Sequence, residues 1–386
     1  MLIKHTQGYF DYQATTPTDP RVVEAMAPYF TEHFGNPSSS AHAWGWKAEA
    51  AVQVARAQVA KLIHASPREI IFTSGASESN NFALKGFTHL KKIPIAISTV
   101  EHKSTLETAK FISKSYGNEL TQISCNQEGF LDLAQLEKTV SAKSGGICSI
   151  IAAQNEIGTI QSLAEISKIC HKHGWILHVD AAQAMGKLAI DVDVLGIDLL
   201  SLSGHKMYGP KGVGALYVRR RDPRVELVPL IHGGGQEYGL RSGTLAVSPI
   251  VGLGKASELA QSEMEAESQR HRELRGDLWK KIQGIFPNAI LRGPSLEDAA
   301  RLPHNLNVTF PKVDAQALIL ELKGFGLSTA SACGSDSVGP SHVLKAIGCS
   351  DEDAHATLRF AVGRFTRNED VTALAESLAR AAKKLI

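Results

Sequence analysis

Seven short apolar runs, at 70–73, 95–99, 120–125, 147–153, 176–180, 199–203 and 213–218, follow one another through this chain, and helical patterns fit between many of them, at 78–90, 104–115 and 163–173. Runs so short and so continuously apolar suit strands buried on both faces. Their alternation with helices predicts an α/β fold built on a mostly parallel, seven-stranded sheet. Amphipathic helical patterns precede the sheet at 20–30 and 43–64, and a short extended stretch, Gly8-Tyr9-Phe10-Asp11-Tyr12, precedes those. From Val251 the texture changes to a long charged helix ending near Gln283, which suits a hinge between domains. The remainder mixes a short strand at 305–310 with helices at 315–322, 341–346, 351–359 and 370–385. The expected organisation is a large domain over 15–260 and a smaller α+β domain made of 1–14 plus 261–386.

At 386 residues the chain is long enough for two such cores. Its 41 Lys+Arg against 39 Asp+Glu leave a formal charge of +2, which disfavours nucleic acid or an anionic membrane as the main partner. The five cysteines are widely spaced and form no C-x-x-C pair, so reduced thiols in a cytoplasmic compartment are expected. The opening residues, Met1-Leu2-Ile3-Lys4-His5, carry neither an apolar signal core nor an amphipathic leader, and no apolar run reaches membrane-spanning length.

Ligands of open α/β sheets gather beyond the carboxyl ends of the strands, so the residues that follow each apolar run carry the information. After the first run comes Ser74-Gly75-Ala76-Ser77-Glu78-Ser79-Asn80, a small-residue turn opening a helix whose free N–H groups suit a phosphate; it serves equally well as an ordinary N-cap. After later runs come Glu101-His102-Lys103, Gln154-Asn155-Glu156, Asp180 with Gln183 one turn on, and Ser203-Gly204-His205-Lys206. Any one of these could be a cap or an ion pair. A carboxylate, an imidazole, two amides and a lysine at one sheet edge are harder to attribute to capping. A lysine desolvated at a strand end loses proton affinity and becomes an amine nucleophile, as carbonyl chemistry requires, although a lysine in a glycine-rich turn is more commonly solvated.

Competing motifs fail. Gly204-x4-Gly209 begins like a phosphate loop but has Pro210 where the lysine belongs, and Gly212-Val213-Gly214 lacks the third glycine of a dinucleotide fingerprint. Cys170-His171-Lys172-His173 has no second cluster at ligand spacing, so no metal site is expected; it suits a solvated helix C-terminus. In Thr329-Ala330-Ser331-Ala332-Cys333-Gly334-Ser335 a thiol stands among small polar residues, where a reactive cysteine needs to be; Cys125, Cys148 and Cys170 fit core positions instead.

In these blocks the chain resembles the cysteine desulfurases of the iron–sulfur cluster assembly group, pyridoxal-phosphate enzymes of fold type I, the aspartate-aminotransferase-like fold. The resemblance runs nearly end to end. It includes Phe34-Gly35-Asn36-Pro37-Ser38-Ser39, His178-Val179-Asp180-Ala181-Ala182-Gln183, Gly204-His205-Lys206-Met207-Tyr208-Gly209-Pro210-Lys211-Gly212, Arg241-Ser242-Gly243-Thr244 and Arg359-Phe360-Ala361-Val362-Gly363-Arg364. It implies that Lys206 carries the Schiff base to pyridoxal 5'-phosphate, that Asp180 pairs with the pyridinium nitrogen, and that His102 stacks on the ring and shuttles protons. Gln183 would hold the phenolic oxygen; Ala76, Ser77, Ser203 and His205 would hold the phosphate, joined by Thr244 from the other subunit of a homodimer. Arg359 would clamp the carboxylate of substrate L-cysteine with Asn36 and Asn155. Cys333 would take the sulfur as a persulfide, releasing alanine, for delivery to an acceptor such as an iron–sulfur scaffold. A selenocysteine lyase, or a desulfurase with another acceptor, is the alternative on the same fold. Two departures from the family pattern stand out: Ser77 replaces its usual Thr, and Gly334 and Gly339 alter the cysteine loop. The chain also stops at Ile386, where family members carry a further tail that docks the scaffold.

Overall fold

The seven apolar runs form strands β1 (Ile70–Thr73), β2 (Ile95–Ser98), β3 (Leu120–Ile123), β4 (Gly146–Ile151), β5 (Trp175–Asp180), β6 (Leu199–Ser203) and β7 (Gly214–Val218) in a computed structural model that describes residues 8–89, 92–329 and 339–385. They make one sheet in the order β1-β7-β6-β5-β4-β2-β3. Only β7 runs against its neighbours β1 and β6; the other pairs are parallel. Helices α1 (Pro20–Met26), α2 (Pro28–Thr31) and α3 (Ala43–Leu62) precede the sheet. Within it come α4 (Ala76–Thr88), α5 (Lys103–Tyr116), α6 (Leu133–Ser141) and α7 (Leu163–Lys172), and after it α8 (Val247–Ile285).

Side chains alternate across each strand, and both faces find apolar partners. Ile71, Ile97, Ile147, Leu199 and Leu216 meet Phe82 and Leu84 of α4 and Leu106 and Ile112 of α5. Phe72, Cys148, Ile150, Leu177, Leu200 and Tyr217 belong to the larger core shared with α3, α7 and α8. With neither face in water, all the strands but the partly exposed edge strand β3 need no polar alternation, which is why they read as plain apolar runs.

The second sheet holds β8 (Ile290–Leu291), β9 (Asn305–Thr309), β10 (Ser328–Thr329) and β11 (Thr357–Ala361), antiparallel in the order β10-β11-β9-β8. Around it lie α9 (Ala315–Glu321), α10 (His342–Ala346), α11 (Asp351–His355) and α12 (Asn368–Leu385). Helix α8 has 39 residues, which at the usual rise makes it about 58 Å long. That length serves both cores: Ile250, Leu253 and Ala256 pack into the first, and Leu274, Leu278 and Ile282 into the second. Phe10 of the N-terminal stretch is also buried in the second core, and Tyr9 and Asp11 bridge to Gly326 and Ala361.

Three expectations are corrected. The helix expected over 351–359 ends at His355, and 357–361 is the strand β11 paired with β9. Leu358 and Phe360 fill the second core while Thr357 and Arg359 alternate with them, a period of two that short helical spacing conceals. The helix expected over 20–30 is two helices, because Pro28 has no N–H to continue the first and instead starts the second. The histidines ending α7 are not simply solvated: His171 Nε2 lies 2.8 Å from the buried Asp198 carboxylate and His173 Nε2 lies 2.9 Å from Glu137.

Candidate active site

The carboxyl ends of β1, β2, β4, β5 and β6 open onto one cavity of about 560 Å³. Ala76, Ser77, His102, Asn155, Asp180, Gln183, Ser203, His205 and Lys206 line it from these strand ends, and Arg359 reaches it from β11. One strand from the second sheet therefore completes a site built by the first.

Lys206 closes a single 3-10 turn, Gly204–Lys206, directly after β6. Its Nζ donates to the carbonyls of Gln13 and Ala14, each at 2.7 Å. The turn is fixed from three directions. The Thr16 N–H and hydroxyl donate to the His205 carbonyl at 2.9 and 3.0 Å, Lys187 Nζ donates to the Lys206 carbonyl at 2.6 Å, and Thr16 Oγ1 accepts from the Tyr208 N–H at 2.8 Å. Tyr208 holds a φ of 63°, a left-handed conformation costly for a bulky residue and typical of strain kept at functional sites. Burial pushes Lys187 down to about 7 and His205 down to about 4, so His205 is neutral at physiological pH.

Asp180 ends β5 and is buried. Its Oδ1 accepts from the Ala182 N–H at 3.0 Å and its Oδ2 from Asn80 Nδ2 at 2.7 Å. The same Asn80 nitrogen lies 2.8 Å from Ser104 Oγ, which lies 2.7 Å from His102 Nδ1. His102 is the N-cap of α5, its Nδ1 accepting the Ser104 N–H at 3.1 Å. Burial holds its pKa below the ordinary histidine value; Asp180 opposes that, while Lys206 reinforces it. The preceding Glu101 is fully buried, with Oε1 accepting from Ser98 Oγ and the Ile151 N–H, and burial pushes its pKa up to about 8.

Pyridoxal phosphate fits this arrangement on three observations. Helix α4 begins at Gly75, φ 147°, with no side-chain cap, so its first N–H groups face the cavity beside Ser77 and Ser203 and can take a phosphate. Gln183 donates its amide to the Gln13 carbonyl at 2.8 Å and leaves a buried Oε1 without a partner. Arg359, 2% exposed, uses one η nitrogen on the Asn155 carbonyl at 3.0 Å and the other on Asp11 at 2.8 Å, and its buried Nε–H has no partner. A buried guanidinium N–H is costly to leave unmade, and a substrate carboxylate would satisfy it.

Two expected residues stay outside the cavity of this single chain. Asn36 is exposed, its Oδ1 accepting from the Ser38 N–H, and Thr244 is exposed in the loop beyond Glu237–Gly239. That loop is firmly anchored: buried Glu237 pairs with Arg56 at 2.6 Å and accepts from the Phe72 N–H of β1 at 2.7 Å. Cys333 lies outside the described residues. Cys148 and Cys170 are buried, and burial pushes the Cys125 thiol up to about 11 and raises Cys349, which packs among Val100, Ile157 and Leu344. Sequence reasoning missed Asp11, Gln13, Ala14, Asn80 and Ser104. Only Asn80 left a signal, as a polar residue on the face of α4 that also buries Ala83 and Leu84.

The comparisons agree with this geometry. Residues 8–374 match the family described as aminotransferase class-V. A mitosomal cysteine desulfurase of Trachipleistophora hominis is 49% identical over 383 residues, covering 98% of this chain and 86% of the relative. The cysteine desulfurase IscS of Klebsiella pneumoniae is 48% identical over 368 residues, 94% of this chain and 89% of its own. Among solved structures, a NifS-like protein superposes with a TM-score of 0.89 at 36% identity, covering 98% of this chain and all of its own; SspA in complex with cysteine gives 0.80 at 39%, covering 93% and 100%. Lysine, buried aspartate and arginine meet at the carboxyl edge of a fold type I sheet, and the likeness extends over nearly the whole length: the chain belongs to the cysteine desulfurases of the class-V aminotransferase family.

Proposed function

We propose that this cavity converts L-cysteine to L-alanine and passes the sulfur to Cys333 as a persulfide. The observation that carries the reading is Arg359, which lines the same cavity as Lys206 and Asp180 with a buried Nε–H that has no partner, and which suits an amino-acid carboxylate. Bound pyridoxal phosphate supplies an electron sink for the pairs released at substrate carbon. The α4 N-terminus, Ala76, Ser77, Ser203 and His205 would hold its phosphate, and Asp180 would keep its ring nitrogen protonated. His102 and Gln183 would be its neighbours on the ring side of the same cavity. Arg359 and Asn155 orient the substrate, and the Lys206 amine moves the proton at Cα. The Cys333 sulfur attacks the substrate Sγ, so that an S–S bond forms as the Cβ–Sγ bond breaks. The electron pair stays on Cβ, which takes a proton to become the alanine methyl, and no outside oxidant is needed.

Cys333→Ser tests this assignment. A hydroxyl is too weak a nucleophile toward sulfur near neutral pH, so the variant is expected to bind cysteine and change the cofactor spectrum yet release no alanine. Sustained alanine release, abolished instead by Cys349→Ser, would move the nucleophile to Cys349.

The working form we assign is a homodimer. Phe30, Phe34, Trp44 and Trp46 are 57–66% exposed on one N-terminal region, beside Asn36, which supports burial of that region against a second copy. In that dimer Thr244, exposed on the anchored loop, would reach the phosphate of the neighbouring site. Loss of one charge-assisted hydrogen bond weakens phosphate binding by about 1.5–3 kcal/mol. Thr244→Val is therefore expected to lose cofactor on dilution sooner than wild type; an active, cofactor-saturated monomer would rule out a shared site. Division of the chain near residue 260, a reducing cytoplasmic setting for the free thiols, and an iron–sulfur scaffold protein as sulfur acceptor complete the reading.

A further inference from the structure

A neutral imidazole carries its proton on one nitrogen, and the donors around His102 select which. The Ser104 backbone N–H, 3.1 Å from Nδ1, can only donate. The direction of the Ser104 hydroxyl is set one link further back. The Asp180 carboxylate only accepts, so Asn80 must turn Nδ2 toward it, and that nitrogen gives its second hydrogen to Ser104 Oγ at 2.8 Å. Ser104 then has its own hydrogen left for Nδ1, 2.7 Å away. The reverse amide orientation would set Asn80 Oδ1 against a carboxylate; in the observed one Oδ1 is buried without a partner, the lesser of two costs.

Nδ1 is thus an acceptor for two donors, and its ring caps the positive end of α5, where a cation is disfavoured. Burial opposes the imidazolium most, Asp180 favours it, and Lys206, His342 and Lys103 add to the opposition. A helix N-terminus keeping an active-site histidine neutral is a known way of making it a hydrogen-bond donor. We infer that Ser104 and Asn80 are positioning residues that hold His102 as a neutral ring protonated at Nε2, so that it serves as a hydrogen-bond donor and leaves proton transfer at substrate carbon to the Lys206 amine. In this state Nε2 has no lone pair to receive a proton, and Nδ1 could take one only by breaking the helix cap. The catalytic consequence rests on the desulfurase reading above; the tautomer does not.

Holoenzyme labelled with 15N-histidine tests it, with His102→Gln used to assign the signals. Across about pH 5–8, where an unperturbed histidine titrates, wild-type Nδ1 is expected to resonate as an unprotonated nitrogen and Nε2 as a protonated one. A donor to Nδ1 stabilises the neutral ring, so Ser104→Ala is expected to raise the pH at which the ring takes a second proton by about one unit, a tenfold gain in proton affinity. Ser104→Thr, which keeps the hydroxyl, should restore the wild-type midpoint. A packing role alone would leave that midpoint unmoved. An Nδ1–H tautomer or an imidazolium in wild type at about pH 8, well above an ordinary histidine pKa, or an unmoved midpoint in Ser104→Ala, would overturn the inference even in an enzyme that makes alanine from cysteine. The expected tautomer in a protein that makes none would leave it standing and remove the desulfurase reading instead.

Discussion

Lys206→Ala is expected to abolish turnover and to remove the visible absorption of lysine-bound cofactor. In the proposed mechanism Lys206 is both the covalent attachment and the proton carrier, and general acid–base catalysis alone contributes about 10²–10⁴-fold. Its neighbours cannot take over the attachment: His205 has no primary amine to form an imine, and Lys187 is directed at the Lys206 carbonyl. The check is absorbance with borohydride fixation and peptide mapping, alongside an alanine assay. A borohydride-fixed cofactor on another lysine in the variant, with turnover retained, would move the attachment.

Asp180→Ala should retain cofactor but lose about 10²–10³-fold in kcat, the scale of removing one preorganised electrostatic partner of a charge that develops in the transition state. In the proposed mechanism the phosphate is held elsewhere, by the α4 N-terminus, so binding should suffer far less than rate. The variant also leaves Asn80 Nδ2 with one partner fewer, which loosens the link to Ser104 and His102. Equal losses in cofactor affinity and kcat would show that Asp180 works mainly by holding the cofactor in place.

The large sheet was legible because all its strands but the edge strand β3 are buried on both faces, so most announced themselves as apolar runs. Residues at or just after several of these runs then pointed to the site, which is how His102, Asp180 and Lys206 could be read in order of the chain. Arg359 was legible only as part of the resemblance. Its strand follows a five-residue helix so closely that the two merged into one helical pattern, and its partners Asn307 and Ser328 are distant in sequence. Gln13 and Ala14 accept from Lys206 through backbone carbonyls, which carry no side-chain signature at all. Ser104 was invisible for another reason: a serine at the start of a helix reads as a capping or solvated residue, and only the positions of Asn80 and His102 make it a bridge.

The account is tested most directly by giving the purified holoenzyme one equivalent of L-cysteine and measuring alanine together with the mass and site of bound sulfur. It requires one alanine per site and one added sulfur on Cys333. Pyruvate and free sulfide without alanine, or alanine with the added sulfur on Cys125, Cys148, Cys170 or Cys349, would contradict it.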